Sequence, residues 1–267
     1  MTAYITLAII GLAAGLLGGM LGVGGSVLMI PAMTVLFGPD QHLYQGVAMI
    51  VNFFVVLPAA IQHRRAGAML MPVVRIMAPT AVAGVLVGVW LSNGPWFQGA
   101  NEVYLSRAFG AFLFYVAGYN LYRTVRRTHA ADITHEMAVE MSPLKTAGVV
   151  GLPMGVIGGL LGIGGGALAV PFQQLFLKMP LRRAIANSTA AIIALSIIGA
   201  VYKNTANARV GIAITQAAGL AACLAPTAVM GGLLGAKLTH IIPKQSLRLA
   251  FIALVAYGGY VLITRPA

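Results

Sequence analysis

One pattern constrains this chain more than any other: a glycine-rich segment that occurs twice, each time inside an apolar stretch too long for an ordinary membrane helix. The first copy reads GGMLGVGGSVLMIP from Gly18 to Pro31 and the second GGLLGIGGGALAVP from Gly158 to Pro171, at a constant offset of 140 residues. The stretches that hold them, residues 3 to 37 and 145 to 177, each exceed thirty positions. At about 1.5 Å rise per residue, a continuous helix of that length overshoots a hydrocarbon core of about 30 Å. Each stretch is therefore expected to break, and glycine is the residue at which a backbone can turn sharply.

The remaining sequence is membrane sequence. The chain is 59% hydrophobic and 8% charged, with a mean hydropathy of +0.90, whereas soluble domains carry about 25% charged residues. A water-soluble fold is excluded. Apolar segments follow one another from Tyr4 to Ile263 and leave no room for an extramembrane domain, so residues 1–267 are read as a single membrane domain. Apolar runs of about 20 residues predict six spanning helices, at 43–62, 69–91, 103–122, 183–202, 212–238 and 246–263. The first 20 residues contain no Lys or Arg, so the basic region of a secretory leader is missing and the segment is expected to be retained.

Further matches extend the duplication. PTAVAGVLVG from Pro79 to Gly88 pairs with PTAVMGGLLG from Pro226 to Gly235, and Ala108, Phe109, Ala111 and Tyr115 pair with Ala250, Phe251, Ala253 and Tyr257. The sequence thus divides into repeat 1 at 3–122, a polar inter-repeat loop at 123–143 expected in the cytoplasm, and repeat 2 at 144–263. Small residues four apart, such as Gly84 with Gly88 and Gly231 with Gly235, suit either internal helix packing or a homodimer face.

Charge selects between two topologies. If each glycine stretch crossed once as a kinked helix, the 17 basic residues would fall ten to seven across the membrane. If each is instead a hairpin of two half-helices, Tyr4–Gly19 and Ser26–Phe37 in the first, the halves become inverted. Only Arg107, Lys203, Arg209 and Arg265 then lie opposite the other thirteen, which obeys the positive-inside rule far better. The expected fold is all-α and integral to the membrane, with two inverted repeats, each a broken-helix hairpin plus three transmembrane helices. The arms, about 24 and 18 Å long, are each too short to span alone.

A broken segment at membrane depth points to a pathway, because non-helical backbone is tolerated there only where protein or a water-lined cavity meets its polar groups. The start of each second half-helix presents free N–H groups and a partial positive charge, an anion site that needs no basic side chain. Gly22, Gly24, Gly25 and Ser26 supply one such terminus, and Gly162, Gly164, Gly165 and Gly166 the other. The sparse polar residues within the spans add Asn52, Gln173 and the run Asn187, Ser188, Thr189, read as pathway lining. His63, Arg64 and Lys203 lie at helix ends, as interface anchors or as a gate that collects anions.

Other chemistries lack their residues. Neither glycine cluster carries the lysine of GxxxxGK[ST] or follows a soluble strand, so nucleotide binding is not indicated. The five acids sit in or beside loops, there is no GxSxG, and Cys223 is the only cysteine, which removes hydrolytic, metal-transport and thiol-relay readings. A net charge of +12 fits basic loops against anionic lipid or, alternatively, a field that attracts anions, and no nucleic-acid partner is expected.

The duplicated GGxxGxGGxxxxxP segments, the paired PTAVxGxLxG segments and the overall length resemble the TauE/SafE family of sulfite and organosulfonate exporters, over nearly the whole chain. The resemblance implies transport of sulfur oxyanions or related organic anions at the cell membrane without a cofactor, with Gly18–Pro31 and Gly158–Pro171 as signature segments. Members often carry a Thr-Ser-like pair after each motif. Here repeat 2 has Ser188 and Thr189 while repeat 1 has Met49, Ile50 and Val51, a departure from a symmetric site. The expected function is export driven by membrane potential, with a passive anion channel or a proton-coupled carrier of the same anions as alternatives. Reporters fused to the two ends should register the outside; cytoplasmic signals would rule the inverted arrangement out.

Overall fold

The computed structural model describes residues 2–21, 24–125, 142–238 and 244–264. Among these residues ten α-helices follow one another, with two 3-10 turns, one π-helical turn and no strand. In the first half they are α1 (Thr2–Leu21), α2 (Ser26–Phe37), α3 (Gln41–Arg65), α4 (Met71–Ser92) and α5 (Glu102–Val125). The second half holds α6 (Leu152–Leu161), entered through a π-helical turn at Lys145–Gly151, then α7 (Gly166–Phe176), α8 (Leu181–Arg209), α9 (Ile214–Leu238) and α10 (Lys244–Thr264). Four of these, α3, α4, α8 and the Ile214–Gly235 part of α9, are long and apolar enough to cross a membrane.

Both glycine stretches break where expected. Helix α2 begins at Ser26 and α7 at Gly166, and α2, α6 and α7 have 12, 10 and 11 residues, or about 18, 15 and 16 Å. The first arm differs from expectation: α1 has 20 residues, about 30 Å, and continues through Gly18 and Gly19. Gly18 stays helical because the following turn packs on its bare face, where a β-carbon would lie 2.8 Å from Gly25 N. The π-helical turn was not legible either. It widens the helix just ahead of Pro153, which has no N–H to give to the ladder.

Contacts across each break fix how the arms run. A β-carbon on Gly25 would touch Ala14 O at 3.2 Å, and one on Gly165 would meet Met154 O at 2.2 Å, so each second arm starts beside the middle of the first. Ser26 then lies against Asn52, within α3, and α2 returns along the first half of α3 until Gly38 and Asp40 join them. Asp40 caps α3 by accepting from Leu43 N–H at 3.0 Å. Likewise Gln173 of α7 lies against Ser188 of α8, and α7 runs back to the end at which α8 begins. We refer to the two ends of the bundle as the Asp40 face and the Arg65 face, after the ends of α3.

Glycine sets the helix packing, and it does so between halves. A β-carbon on Gly15 would sit 2.0 Å from Ala228 O, and one on Gly231 would sit 2.2 Å from Leu12 O, so α1 and α9 meet backbone to backbone. The same relation holds α6 to α4, through Gly155 at 2.0 Å from Ala81 O and Gly88 at 2.2 Å from Val156 O. Gly84, Gly88 and Gly231 thus serve internal packing. Helices α3 and α8 cross the centre side by side, and α5 packs on α10.

Gly155→Val is expected to destabilise the protein by about 3 kcal/mol or more through backbone overlap. Gly118→Ala and Gly219→Ala, where a β-carbon meets nothing within 4 Å, should be neutral or stabilising by up to about 1 kcal/mol. Thermal unfolding in detergent reads both.

Candidate functional site

The two glycine turns meet at mid-depth. Ser26 Oγ donates to Ile163 O at 3.1 Å, joining the start of α2 directly to the turn between α6 and α7. Asn52 Nδ2 in turn donates to Ser26 Oγ at 3.1 Å. A β-carbon on Gly24 would lie 3.6 Å from Asn52 Oδ1, and one on Gly164 would lie 3.1 Å from Asn52 Nδ2 and 3.3 Å from an Ile192 methyl. Gly24, Ser26, Ile163, Gly164 and Asn52 therefore form one buried cluster, with Ser26 and Asn52 at 0% and 1% exposure.

The backbone there is the kind only glycine adopts readily. Gly24, Gly162, Gly164 and Gly165 have φ of +88°, +75°, +70° and +71°, left-handed values that cost other residues about 1–2 kcal/mol. Gly25 and Gly165 are the N-caps of α2 and α7, and neither helix receives a side-chain cap bond. Two helix N-termini without side-chain caps thus start at one buried cluster, and helix N-termini favour a negative charge. Asn52 Oδ1 has no protein partner there.

The cluster is not symmetric. At the 140-residue offset Asn52 corresponds to Ile192 and Ser26 to Gly166, so the polar side chains come from the first half and bare backbone from the second.

Other predicted residues lie elsewhere. Gly162 faces Gln45, whose Nε2 donates to Leu160 O at 3.0 Å. Gln173, Asn187 and Ser188 form a separate buried cluster toward the Arg65 face. Gln173 Nε2 donates to Ser188 Oγ at 2.7 Å and Ala184 O at 3.1 Å, Asn187 Nδ2 donates to Gln173 Oε1 at 3.3 Å, and Leu70 N–H donates to Asn187 Oδ1 at 2.8 Å. This network ties the α3–α4 connection to α7 and α8. Thr189 bonds back to Ile185 O at 2.7 Å within its own helix. His63 and Arg64 sit in the last turn of α3 at the Arg65 face. Gly22 lies outside the described residues.

Lys203 is not at an interface. It is fully buried at 0% exposure, and its Nζ bonds His42 Nδ1 at 2.8 Å, Ser92 Oγ at 2.9 Å and Asn93 Oδ1 at 3.1 Å. His42 Nδ1 is thereby the acceptor, which makes Nε2–H the donor to Phe97 O at 2.8 Å and the ring neutral. Glu102 accepts from the backbone N–H of Gln41 and His42, and Asn207 Nδ2 donates to His42 O at 2.8 Å. Sequence reasoning missed His42, Gln45, Ser92 and Asn204, although the helical spacing of His42, Gln45 and Asn52 was a readable signal. A separate groove of about 540 Å³ between α3 and α9 is lined by Ile50, Phe54 and Ala221 among others and is almost wholly apolar.

With this geometry in place, residues 7–262 match the family described as sulfite exporter TauE/SafE. The chain belongs to the TauE/SafE family. The TauE/SafE chain is 30% identical to a probable membrane transporter protein MamO of Magnetospirillum gryphiswaldense over 94% of its own length and 43% of that protein, so it spans less than half of this longer relative. It is 25% identical to the probable membrane transporter protein YdhB of Bacillus subtilis, over 93% of its own length and 96% of that protein. No solved structure matches it.

The two polar clusters predict different phenotypes. Asn187→Ala leaves the half-buried Leu70 N–H without its acceptor and the buried Gln173 Oε1 without its donor, and should cost about 1–3 kcal/mol of stability. Asn52→Ala removes one bond to Ser26, should cost about 1 kcal/mol, and should depress transport by more than its stability loss explains. Thermal unfolding compared with vesicle flux separates the two.

Proposed function

We infer that this TauE/SafE protein moves a small sulfur-containing anion, sulfite or an organosulfonate, outward across the cell membrane. The observation that carries the reading is the meeting of two uncapped helix N-termini, α2 at Ser26 and α7 at Gly166, beside Asn52 in the middle of the bundle. Such termini hold an anion with backbone N–H groups and partial positive charge, and they add no ionised side chain to the apolar interior.

We read the two halves as inverted repeats, with the Arg65 face in the cytoplasm. In support, α2 returns along α3 toward the Asp40 face and α7 returns along α8 toward the Arg65 face. Support also comes from charge: Arg64, Arg65, Lys145, Lys178, Arg182 and Arg183 all lie near helix ends at the Arg65 face, as the positive-inside rule requires of a cytoplasmic side. In this reading the inter-repeat loop, residues 123–143, lies in the cytoplasm.

An inside-negative potential drives a monoanion outward with about 2.3 kcal/mol per 100 mV, enough for a gradient of about fifty-fold. No coupling ion is then required, which accords with the acids lying outside the membrane interior in the sequence. The test is flux into and out of liposomes with sulfite, sulfoacetate and sulfate, with and without an imposed potential. Sulfite or sulfoacetate should move, faster when the potential favours it. Gly164→Ala, which places a methyl group against Asn52, should abolish the flux. Absence of flux of all three anions at any potential would overturn the proposal.

A further inference from the structure

The buried polar side-chain atoms without a protein partner are not scattered through the described residues. Gln45 Oε1, Asn52 Oδ1, Ser196 Oγ, Asn204 Oδ1 and Asn207 Oδ1 all belong to α3 or α8. All lie between mid-depth and the Asp40 face, and Gln41 and Asn93, which supply the others, are at that face. On the other side of the centre, Gln173, Asn187 and Ser188 bond one another and nearby backbone. Native interiors leave few polar groups unpaired, and those at membrane depth are met by protein or by a wet interval.

Three of these residues, Gln45, Asn52 and Ser196, sit along one seam, and Asn204 and Asn207 flank its outer end beside Gly46. His42, Gln45, Met49 and Asn52 recur at helical spacing on α3, and Lys203, Gly199, Ser196 and Ile192 do so on α8. The two rows run antiparallel. Lys203 meets His42 at 2.8 Å, a β-carbon on Gly199 would lie 3.1 Å from Met49 Sδ, and Ile192 and Asn52 meet across Gly164. From His42 to Asn52 the seam is about 15 Å long. At its outer end, Lys203 joins α8 to α3, to α4 and to the segment after α4, beside the bonds from Asn204 to Gly46 O and from Asn207 to His42 O. Each of these three partners is neutral, and the acids whose charge acts on Lys203, Glu102 and Asp40, stand at the Asp40 face without a direct bond to it, so an anion can compete for its N–H groups.

We propose that the α3–α8 seam from Lys203 to Asn52 is the half-pathway between the Asp40 face and the central glycine turns. The Lys203 contacts to His42, Ser92 and Asn93 are its gate, and Lys203 receives the anion as the gate opens. This rests on the reading of the central turns as an anion site, but its test does not require the substrate to be known.

In a Cys223→Ala background, single cysteines at Asn204, Ser196 and Ser188 are treated, from each face of oriented vesicles in turn, with two membrane-impermeant methanethiosulfonates. One reagent carries a sulfonate and the other a trimethylammonium group. From the Asp40 face, Asn204→Cys and Ser196→Cys should be modified, faster by the anionic reagent, and Ser188→Cys should not. Adding Lys203→Met should speed the labelling of Ser196→Cys and bring the two reagents to parity. If Asn204→Cys and Ser196→Cys stay unmodified while the exposed Gln98→Cys reacts, the pathway is elsewhere. Equal labelling of Ser188→Cys from that face would overturn the proposal as well. Should Lys203→Met fail to fold, the ratio of anionic to cationic labelling with Lys203 intact still decides: a ratio at or below one removes the lysine from the path. Labelling as expected in a protein that moves none of the three anions would fail the central-site reading and leave the pathway standing.

Discussion

The bond from Ser26 Oγ to Ile163 O is the contact on which the middle of this molecule depends. Two segments abandon helical geometry inside a hydrocarbon layer, where no solvent compensates exposed amides. They can do so only because each turn closes against the other and against Asn52. The left-handed glycines shape the turns, and the serine and asparagine join them. Without that junction, α2 and α7 would start at depths where nothing holds their first residues.

A second constraint follows from the first. Helices that stop halfway cannot bury their own ends, so long helices must press against them closely. That explains Gly15, Gly84, Gly88, Gly155, Gly159 and Gly231, whose neighbours stand where a β-carbon would be. Close approach through small residues substitutes here for the hydrophobic effect, which offers little between apolar surfaces already surrounded by lipid.

Much of this was legible in the sequence. Gly24 and Gly164 marked both breaks, because an apolar run beyond thirty residues conflicts with membrane thickness, whereas Asn52 was one of several sparse polar residues within the spans. The partner choices were not legible. Asn187 and Ser188 looked like pathway lining because periodicity cannot reveal that Gln173 and Leu70 N–H consume their bonds. Lys203 looked like an anchor because a basic residue near a helix end ordinarily reaches for water. Only the antiparallel register of α3 and α8, set by contacts distant in sequence, carries it inward to His42. The unequal centre was half visible: the departure at Met49, Ile50 and Val51 signalled asymmetry, but not its form.

The exchange of partners between halves bears on how the chain is made. Helix α1 finds its principal neighbour in α9, more than two hundred positions later in the sequence, while α4 waits only for α6. During synthesis α1 must therefore dwell in the bilayer with its glycine-lined face against lipid until α9 has left the ribosome. Assembly of the first half is governed by emergence of the second, a high-contact-order route in which α1 and α9 dock late, and a ribosome that stalls before α9 leaves a product with no native place for its first helix.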